Sequence, residues 1–595
     1  MINNKILQLR KSMKKYNIDF YIVTMSDYHC SEYISPHFKS IEFLTGFTGS
    51  AGDLVITMNE VCLWVDGRYF IQAFEETRNK DIIIMKINDD NVPTLFEYIN
   101  KNICSDMTIG FDGKTVNQKL VENLKKNIIN ININYKIDLI SEIWNNRPKI
   151  KFFKAWILDE IYSGKSAKDK INDIRNYMIS FNISTHILTS LDDIAWILNI
   201  RGSDVPYNPV VFSYFILKLD KSILFINNEA LDEELLIYLN NLNIEVLDYN
   251  YIYDYVINIE NENILLEKDF INYTIYQSLI CKNNLIDKIN PSTLMKCIKN
   301  NIEIDNIRKA HIKDAICVTK YIYQIKNKID VCSLDEFYIS KYIDDLRKEQ
   351  EGYICKSFEN ISAYDSNAAI CHYIPKKNNS KKLNKKGFYL IDSGGQYLEG
   401  TTDITRTISL GELTDRQKEH FTITVISNLR LANAKFLYGC TGANLDYISR
   451  QEFWKRGIDY NHGTGHGVGY FLNVHERPNR IHWNFLSERS YNMKLEDGML
   501  ISNEPGIYIE NEYGIRIENL MLCKKTEKNS FGQFMEFETV TFVPIDLDAI
   551  DVQYMTNDDI EFLNNYHSEV YDKISSYLNK DERDWLKRYT REIKK

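Results

Sequence analysis

The spacing of apolar residues changes period several times along this 595-residue chain, and each change marks an element. Met1 to Lys11 opens with apolar residues on one side of a helical turn pattern. From Glu303 to Ile322 apolar side chains recur three and four apart, which predicts a long helix. Ile560, Leu563, Tyr566, Val570, Ile574 and Leu578 form a second helical stripe, read as core-facing. Between these helices the period shortens to two. Phe388-Tyr-Leu-Ile-Asp392 is a run of β-formers, and Asp403-Ile-Thr-Arg-Thr-Ile-Ser-Leu410 alternates as a returning strand after a turn at Leu398-Glu-Gly400. In Gly514-Ile-Arg-Ile-Glu-Asn519 the same period places Arg516 and Glu518 on one face, with Ile515 and Ile517 on the other.

The first half of the chain carries a weak internal repeat. Phe20 to Asp27 is echoed by His186 to Asp192, and Phe43-Leu-Thr-Gly-Phe47 by Trp196-Ile-Leu-Asn-Ile200. Leu54 to Asp66 and Tyr214 to Ile226 then both read as strand, short turn, strand. Two α/β domains of similar design explain the echo. The length calls for about three domains, because one hydrophobic core does not grow to this size. Boundaries are expected where proline and polar residues follow a helical pattern at Asn145-Asn-Arg-Pro148, and again near Lys296 to Asn301.

Composition removes several classes of function. Seventy-two basic against 82 acidic residues give a net charge of -10, which argues against a nucleic-acid partner. The basic run from Lys376 to Lys386 has no interleaved aromatics and reads as a solvated connection. Eleven scattered cysteines without a Cys-x-x-Cys pair suit a reduced, cytoplasmic chain. The amino terminus lacks a secretory apolar core, and no apolar run approaches ~20 residues, so no membrane association is expected.

The chemistry concentrates in the last third. Asp392, Asp403, His466, Glu504 and Glu518 are four carboxylates and one imidazole, a hard, oxygen-rich set that suits a pair of divalent cations better than one structural zinc. Four alternate glycines in Asn461-His-Gly-Thr-Gly-His-Gly-Val-Gly469 cost a helix about 1 kcal/mol each, so His462 and His466 are not a helical zinc pair. His475-Glu476 likewise lacks a histidine at position 479 and is not a zincin motif. Pro505-Gly506 makes a rigid turn directly after Glu504.

These segments, namely Asp392-Ser-Gly-Gly-Gln-Tyr-Leu-Glu-Gly-Thr-Thr-Asp403, His462-Gly-Thr-Gly-His466-Gly-Val-Gly, Val474-His475-Glu, Asn503-Glu504-Pro-Gly and Arg516-Ile-Glu518-Asn, resemble the catalytic domain of the pita-bread metallopeptidases. Within that group the chain is similar to the three-domain Xaa-Pro aminopeptidase (aminopeptidase P) family. Phe43-Leu-Thr-Gly-Phe-Thr-Gly-Ser-Ala-Gly52 and Trp64-Val-Asp-Gly-Arg-Tyr-Phe70 look like its first domain, and Ser190 to Gly202 like its second. The resemblance implies a multidomain α/β and α+β fold: creatinase-type domains at 1–146 and 147–299, then a pita-bread catalytic domain at 300–595 with a C-terminal helical extension.

It further implies that Asp392 binds one metal, His466 and Glu504 the other, and that Asp403 and Glu518 bridge, with Glu504 also receiving the proton of an attacking water held between the cations. Two divalent ions per chain follow, manganese by family habit, with zinc, cobalt and iron equally compatible with these donors. His372, His462 and His475 resemble substrate-contacting histidines that polarise the scissile carbonyl. Arg68 resembles a residue that reaches substrate in this family. Peptides with proline in the second position are the expected substrates, and a homodimer the expected assembly. Two other readings compete: a dipeptide-specific prolidase, which usually has one leading domain, and a catalytically dead binding module, which would be expected to have lost ligands.

Overall fold

The computed structural model describes residues 2–128, 131–328, 330–484 and 493–595. The chain forms two compact units. One comprises Met1–Glu160 and Lys165–Leu294, the other Ile161–Gly164 and Met295–Lys595.

Within the first unit the repeat is visible in the strand order. One six-stranded sheet runs Ile83–Lys86, Val61–Val65, Asp53–Ile56, Phe20–Thr24, Thr108–Gly110, Asn132–Asn134. The other runs Ile244–Asp248, Ser222–Ile226, Ser213–Lys218, Thr185–Leu188, Asn263–Leu266, Asn284–Asp287, with the same parallel and antiparallel pairings in the same places. Both faces of the first sheet are covered. Tyr21, Val23, Leu54 and Leu63 pack into one core while Phe20, Ile22, Val55 and Trp64 pack into another, which is why these strands read as unbroken apolar runs. The echoed segments also end their helices alike. Gly46 (φ 77°) and Asn199 (φ 50°) close Ser40–Thr45 and Leu191–Leu198 in the left-handed conformation that glycine and asparagine tolerate.

The second unit begins with the expected long helix, Asn301–Asn327, whose start is capped reciprocally by Asn300 and Glu303. Two antiparallel sheets carry the chemistry. A three-stranded one pairs Phe388–Ser393 between Ile361–Tyr364 and Ile404–Ser409. A six-stranded one runs Phe436–Leu437, Gly532–Thr539, Asn519–Asn529, Leu500–Asn503, Gly465–Gly467, Glu476–Ile481. Helices Asp415–Ala432, Gly442–Trp454 and Asn557–Ile574 accompany them.

Three sequence expectations are refined. The hairpin between Asp392 and Asp403 contains a smaller one, Gly395–Tyr397 against Gly400–Thr401. The alternating stretch from Gly514 is two strands, Tyr513–Arg516 and Asn519–Asn529, because the chain leaves one sheet and enters another at Ile517 and Glu518. Leu578 lies beyond helix Asn557–Ile574 and ahead of the last helix, Lys580–Tyr589, yet it is still buried. The basic run is exposed except at Ser380, at Lys381, which is anchored by Glu336, and at Leu383, which enters the core.

Candidate metal centre

Asp392 stands at the end of its strand opposite Thr405, and Asp403 immediately precedes the returning strand. Thr405 ties in a third carboxylate: its carbonyl accepts the Glu518 backbone N–H at 3.1 Å, and its hydroxyl donates to Glu518 Oε2 at 2.8 Å. Arg516 completes this side. Its Nη2 donates to Asp392 Oδ2 at 2.5 Å and its Nε to the Thr405 hydroxyl at 3.0 Å.

The opposite side is built on Gly465–Gly467. A Cβ on Gly465 would lie 2.0 Å from the Ser502 carbonyl oxygen, and one on Gly467 2.4 Å from that of Glu476, so close strand approach requires these glycines. The Ser502 hydroxyl accepts from the His466 backbone N–H at 2.9 Å and donates to Glu504 Oε1 at 3.1 Å. The Glu504 N–H donates to the Thr464 carbonyl at 2.8 Å.

Four of the five residues converge directly, and Asp392 joins them through Arg516. His466 Nε2 is 3.4 Å from Glu504 Oε1 and 3.6 Å from Asp403 Oδ2, and donor atoms of Asp403, His466 and Glu518 all lie within 4.8 Å of one another. Asp403 has a side-chain exposure of 6%, whereas His466 and Glu504 retain 18% each, so the latter two face the open side.

Electrostatics show what this cluster needs. Burial first, then Glu518, Asp392 and Glu504, push the Asp403 carboxyl well above its usual range. Burial, Glu504 and Asp392 do the same to Glu518. Glu504 is driven up to about 7 by burial, with Asp392 adding and Arg516, His475 and Ser502 opposing. One guanidinium does not balance four carboxylates. Asp392 Oδ1 is buried without a hydrogen-bond partner, an acceptor left for a cation. Charge, orphaned oxygen and oxygen-rich donors therefore fit a pair of divalent ions.

The other expected site residues are placed as follows. The His475 ring centre is 4.4 Å from that of His466, edge to face. His462 is hydrogen-bonded at both nitrogens, Nε2 to the Tyr508 hydroxyl and Nδ1 to the Gly463 carbonyl, each at 2.8 Å. His372 follows Cys371, whose carbonyl accepts from Arg516 Nη1 at 3.5 Å. Arg68 belongs to the other unit and forks onto Asp66, at 2.9 and 2.7 Å.

Several supporting residues escape a reading of the sequence. Ser502 and Thr405 each sit two positions from a candidate ligand, the strand period that shares a face, and that spacing was the available signal. Tyr508 joins His462 to Arg516, taking a hydrogen bond from Arg516 Nη1 at 2.7 Å. Nothing local distinguishes it among 39 tyrosines. Asp446 and Arg450 are fully buried one helical turn apart, and Arg450 Nη2 donates to the His462 carbonyl at 2.7 Å.

Comparison with known proteins places this geometry in context. Residues 305–525 match the family model of metallopeptidase family M24, and 533–593 the C-terminal region of peptidase M24. Residues 5–139 and 146–303 each match a creatinase/prolidase N-terminal domain. The chain is 33% identical to Xaa-Pro aminopeptidase 1 of Dictyostelium discoideum, over 98% of this chain and 96% of that one. It is 34% identical to aminopeptidase P2 of Arabidopsis thaliana, over 100% and 89%. An X-prolyl aminopeptidase from Caenorhabditis elegans, described as a cytosolic enzyme with a di-nuclear active site, superposes with a TM-score of 0.94 at 29% identity over 100% of both chains. Recombinant prolidase from Thermococcus sibiricus shares the fold over 64% of this chain and 99% of its own, with a TM-score of 0.51 at 22% identity.

Proposed function

The chain belongs to the Xaa-Pro aminopeptidase (aminopeptidase P) family of M24 metallopeptidases, with two creatinase N-terminal domains ahead of a pita-bread domain, and on that premise we infer how its site works. It is a metal-dependent aminopeptidase that removes the N-terminal residue from peptides with proline second. The observation that carries this reading is the convergence of Asp403, His466, Glu504 and Glu518, with Asp392 tied alongside them through Arg516 and Thr405, in a chain that matches its relatives from end to end.

When bound, the two divalent cations acidify water and polarise the scissile carbonyl. Manganese is our proposal for their identity. We assign Asp392 to one cation, His466 and Glu504 to the other, and Asp403 and Glu518 to both. Arg516 fixes the Asp392 carboxylate, and Ser502 and Thr405 fix Glu504 and Glu518. Glu504, on the open side, takes the proton of the attacking water and delivers it to the leaving nitrogen. That nitrogen belongs to a pyrrolidine ring and, like any peptide nitrogen, must gain a proton to leave as an amine and not as an amide anion. His372, His462 and His475 are assigned to the substrate side. Arg68 is assigned to substrate by family resemblance alone. The domain limits 1–146, 147–299 and 300–595 belong to the same reading.

The prolidase alternative is disfavoured by the second creatinase domain, and the binding-module alternative by the intact ligand set. We propose cytoplasmic function, as the C. elegans relative is described as cytosolic; among the described residues no helix is long and apolar enough to cross a membrane. The net charge of -10 supports peptide rather than nucleic-acid partners. A homodimer is proposed, supported by an exposed aromatic trio in which the Trp454 ring centre lies 5.9 Å from those of both Tyr447 and Trp483.

The test is a peptide panel on metal-loaded, chelated and reloaded protein. We expect release of the first residue from Xaa-Pro tripeptides, far slower release when alanine is second, loss on chelation and recovery with manganese. Preference for Xaa-Pro dipeptides, indifference to position two, or full activity in chelated protein would overturn the reading.

A further inference from the structure

Glu336 is a buried carboxylate that the metal chemistry does not use. It opens helix Glu336–Lys348 and is 0% exposed. Burial raises its carboxyl above the usual range, and neutral donors alone oppose this. A carboxylate taken out of water without a cation is costly unless every lone pair is satisfied. Here the satisfaction comes from one stretch of chain. Oε1 accepts the Tyr364 N–H at 2.7 Å, Oε2 accepts the Tyr373 hydroxyl and the Lys381 N–H at 2.8 Å each, and Asn367 Nδ2 donates to both oxygens at 3.0 and 3.1 Å.

Residues 364–381 are the segment that bears His372. After Tyr364, which ends strand Ile361–Tyr364, and a short 3-10 turn, Asp365–Ala369, it has no helix or strand to hold it. Its first half leans on the strand of Arg516: the Ala368 carbonyl oxygen would lie 1.8 Å from a Cβ on Gly514, and the Cys371 carbonyl accepts from Arg516 Nη1 at 3.5 Å. Its second half is anchored by Glu336 through Tyr373 and Lys381. His372 stands between these anchors, one residue from each of Cys371 and Tyr373.

We propose that Glu336 and Tyr373 are positioning residues for His372, a carboxylate-to-phenol clamp that sets where the imidazole meets the substrate. This rests on the assignment of His372 to the substrate side. The clamp hydrogen-bonds none of the five candidate metal ligands, and acts by removing freedom from the loop before substrate arrives.

A double-mutant cycle on metal-loaded enzyme tests it, with a tripeptide carrying proline second. Tyr373→Phe keeps the ring and removes only the hydroxyl. We expect it to lower kcat about tenfold with KM changed less than about twofold, at unchanged metal content and with a melting temperature lowered by the lost bond to Glu336 but still above the assay temperature. In a His372→Ala background the same change should cost less than about twofold, since the clamp then has nothing to aim. Equal costs in both backgrounds, or no cost in the parent, overturn the proposal while leaving His372 in place. A fully active His372→Ala enzyme instead removes the assignment of His372 and the clamp with it. Glu336→Gln should act in the same direction as Tyr373→Phe, and if it does not fold, the Tyr373 cycle decides alone.

Discussion

Glu504 and Glu518 are both glutamates set against the same cluster, yet the chain treats them differently. Glu518 is enclosed, held by the Thr405 hydroxyl and its own backbone N–H, whereas Glu504 keeps 18% of its side chain open. A group that is to exchange a proton with a substrate nitrogen must be reachable, and one that only neutralises a cation need not be. We therefore expect Glu504→Ala to retain less than about a hundredth of the parent kcat, measured at saturating tripeptide with metal content checked. A variant with more activity would move the proton transfer to another residue. The candidate ligands were legible because each sits in a short segment with its own backbone signal, such as Glu504 before Pro505-Gly506. Tyr508 and Glu336 were not. Their meaning lies in partners 46 and 37 residues away, His462 and Tyr373, and no local pattern encodes that distance.

Among elements, the helices of the second unit are joined by charge. Arg430 on Asp415–Ala432 donates to Glu452 on Gly442–Trp454 at 2.6 Å and to Asp559 on Asn557–Ile574 at 2.8 Å. Burial raises the Glu452 carboxyl, but Lys455, Arg456 and Arg430 outweigh it and hold it down at about 2. A carboxylate whose pKa is lower folded than unfolded contributes stability above its ordinary value of 4.5, and loses it as pH falls toward 2. Glu452→Gln should thus lower the melting temperature by roughly 2–4 °C at pH 7, with the gap closing between pH 4.5 and about 2. Calorimetry of both proteins across that range checks it; a gap independent of pH would mean that packing, and not charge, joins these helices. Element type was well anticipated. Strand limits failed at Ile517, because alternation reports which side is buried and is silent about which sheet receives the strand.

For the whole molecule, the matching strand orders of the two N-terminal sheets settle what a faint similarity of β-rich strings left open. Topology is a stronger witness than residue identity because many apolar residues satisfy the same buried position. Assembly is a question at this scale. If the exposed rings of Tyr447, Trp454 and Trp483 meet a second copy, light scattering should give the mass of two chains, and Trp454→Glu should shift it toward one. A monomeric parent would remove the homodimer from the reading.

By itself the amino-acid sequence determined which donors are present, on what kind of backbone each is mounted, and therefore a hard, two-cation chemistry. Period-two alternation, alternate glycines and a Pro-Gly turn act over a few bonds and need no distant partner to be read. Only the tertiary structure decided that Arg516 would meet Asp392, that one serine would serve both His466 and Glu504, and that Glu336 would hold the loop of His372. Those pairings come from strand register and burial, which depend on the whole chain closing at once.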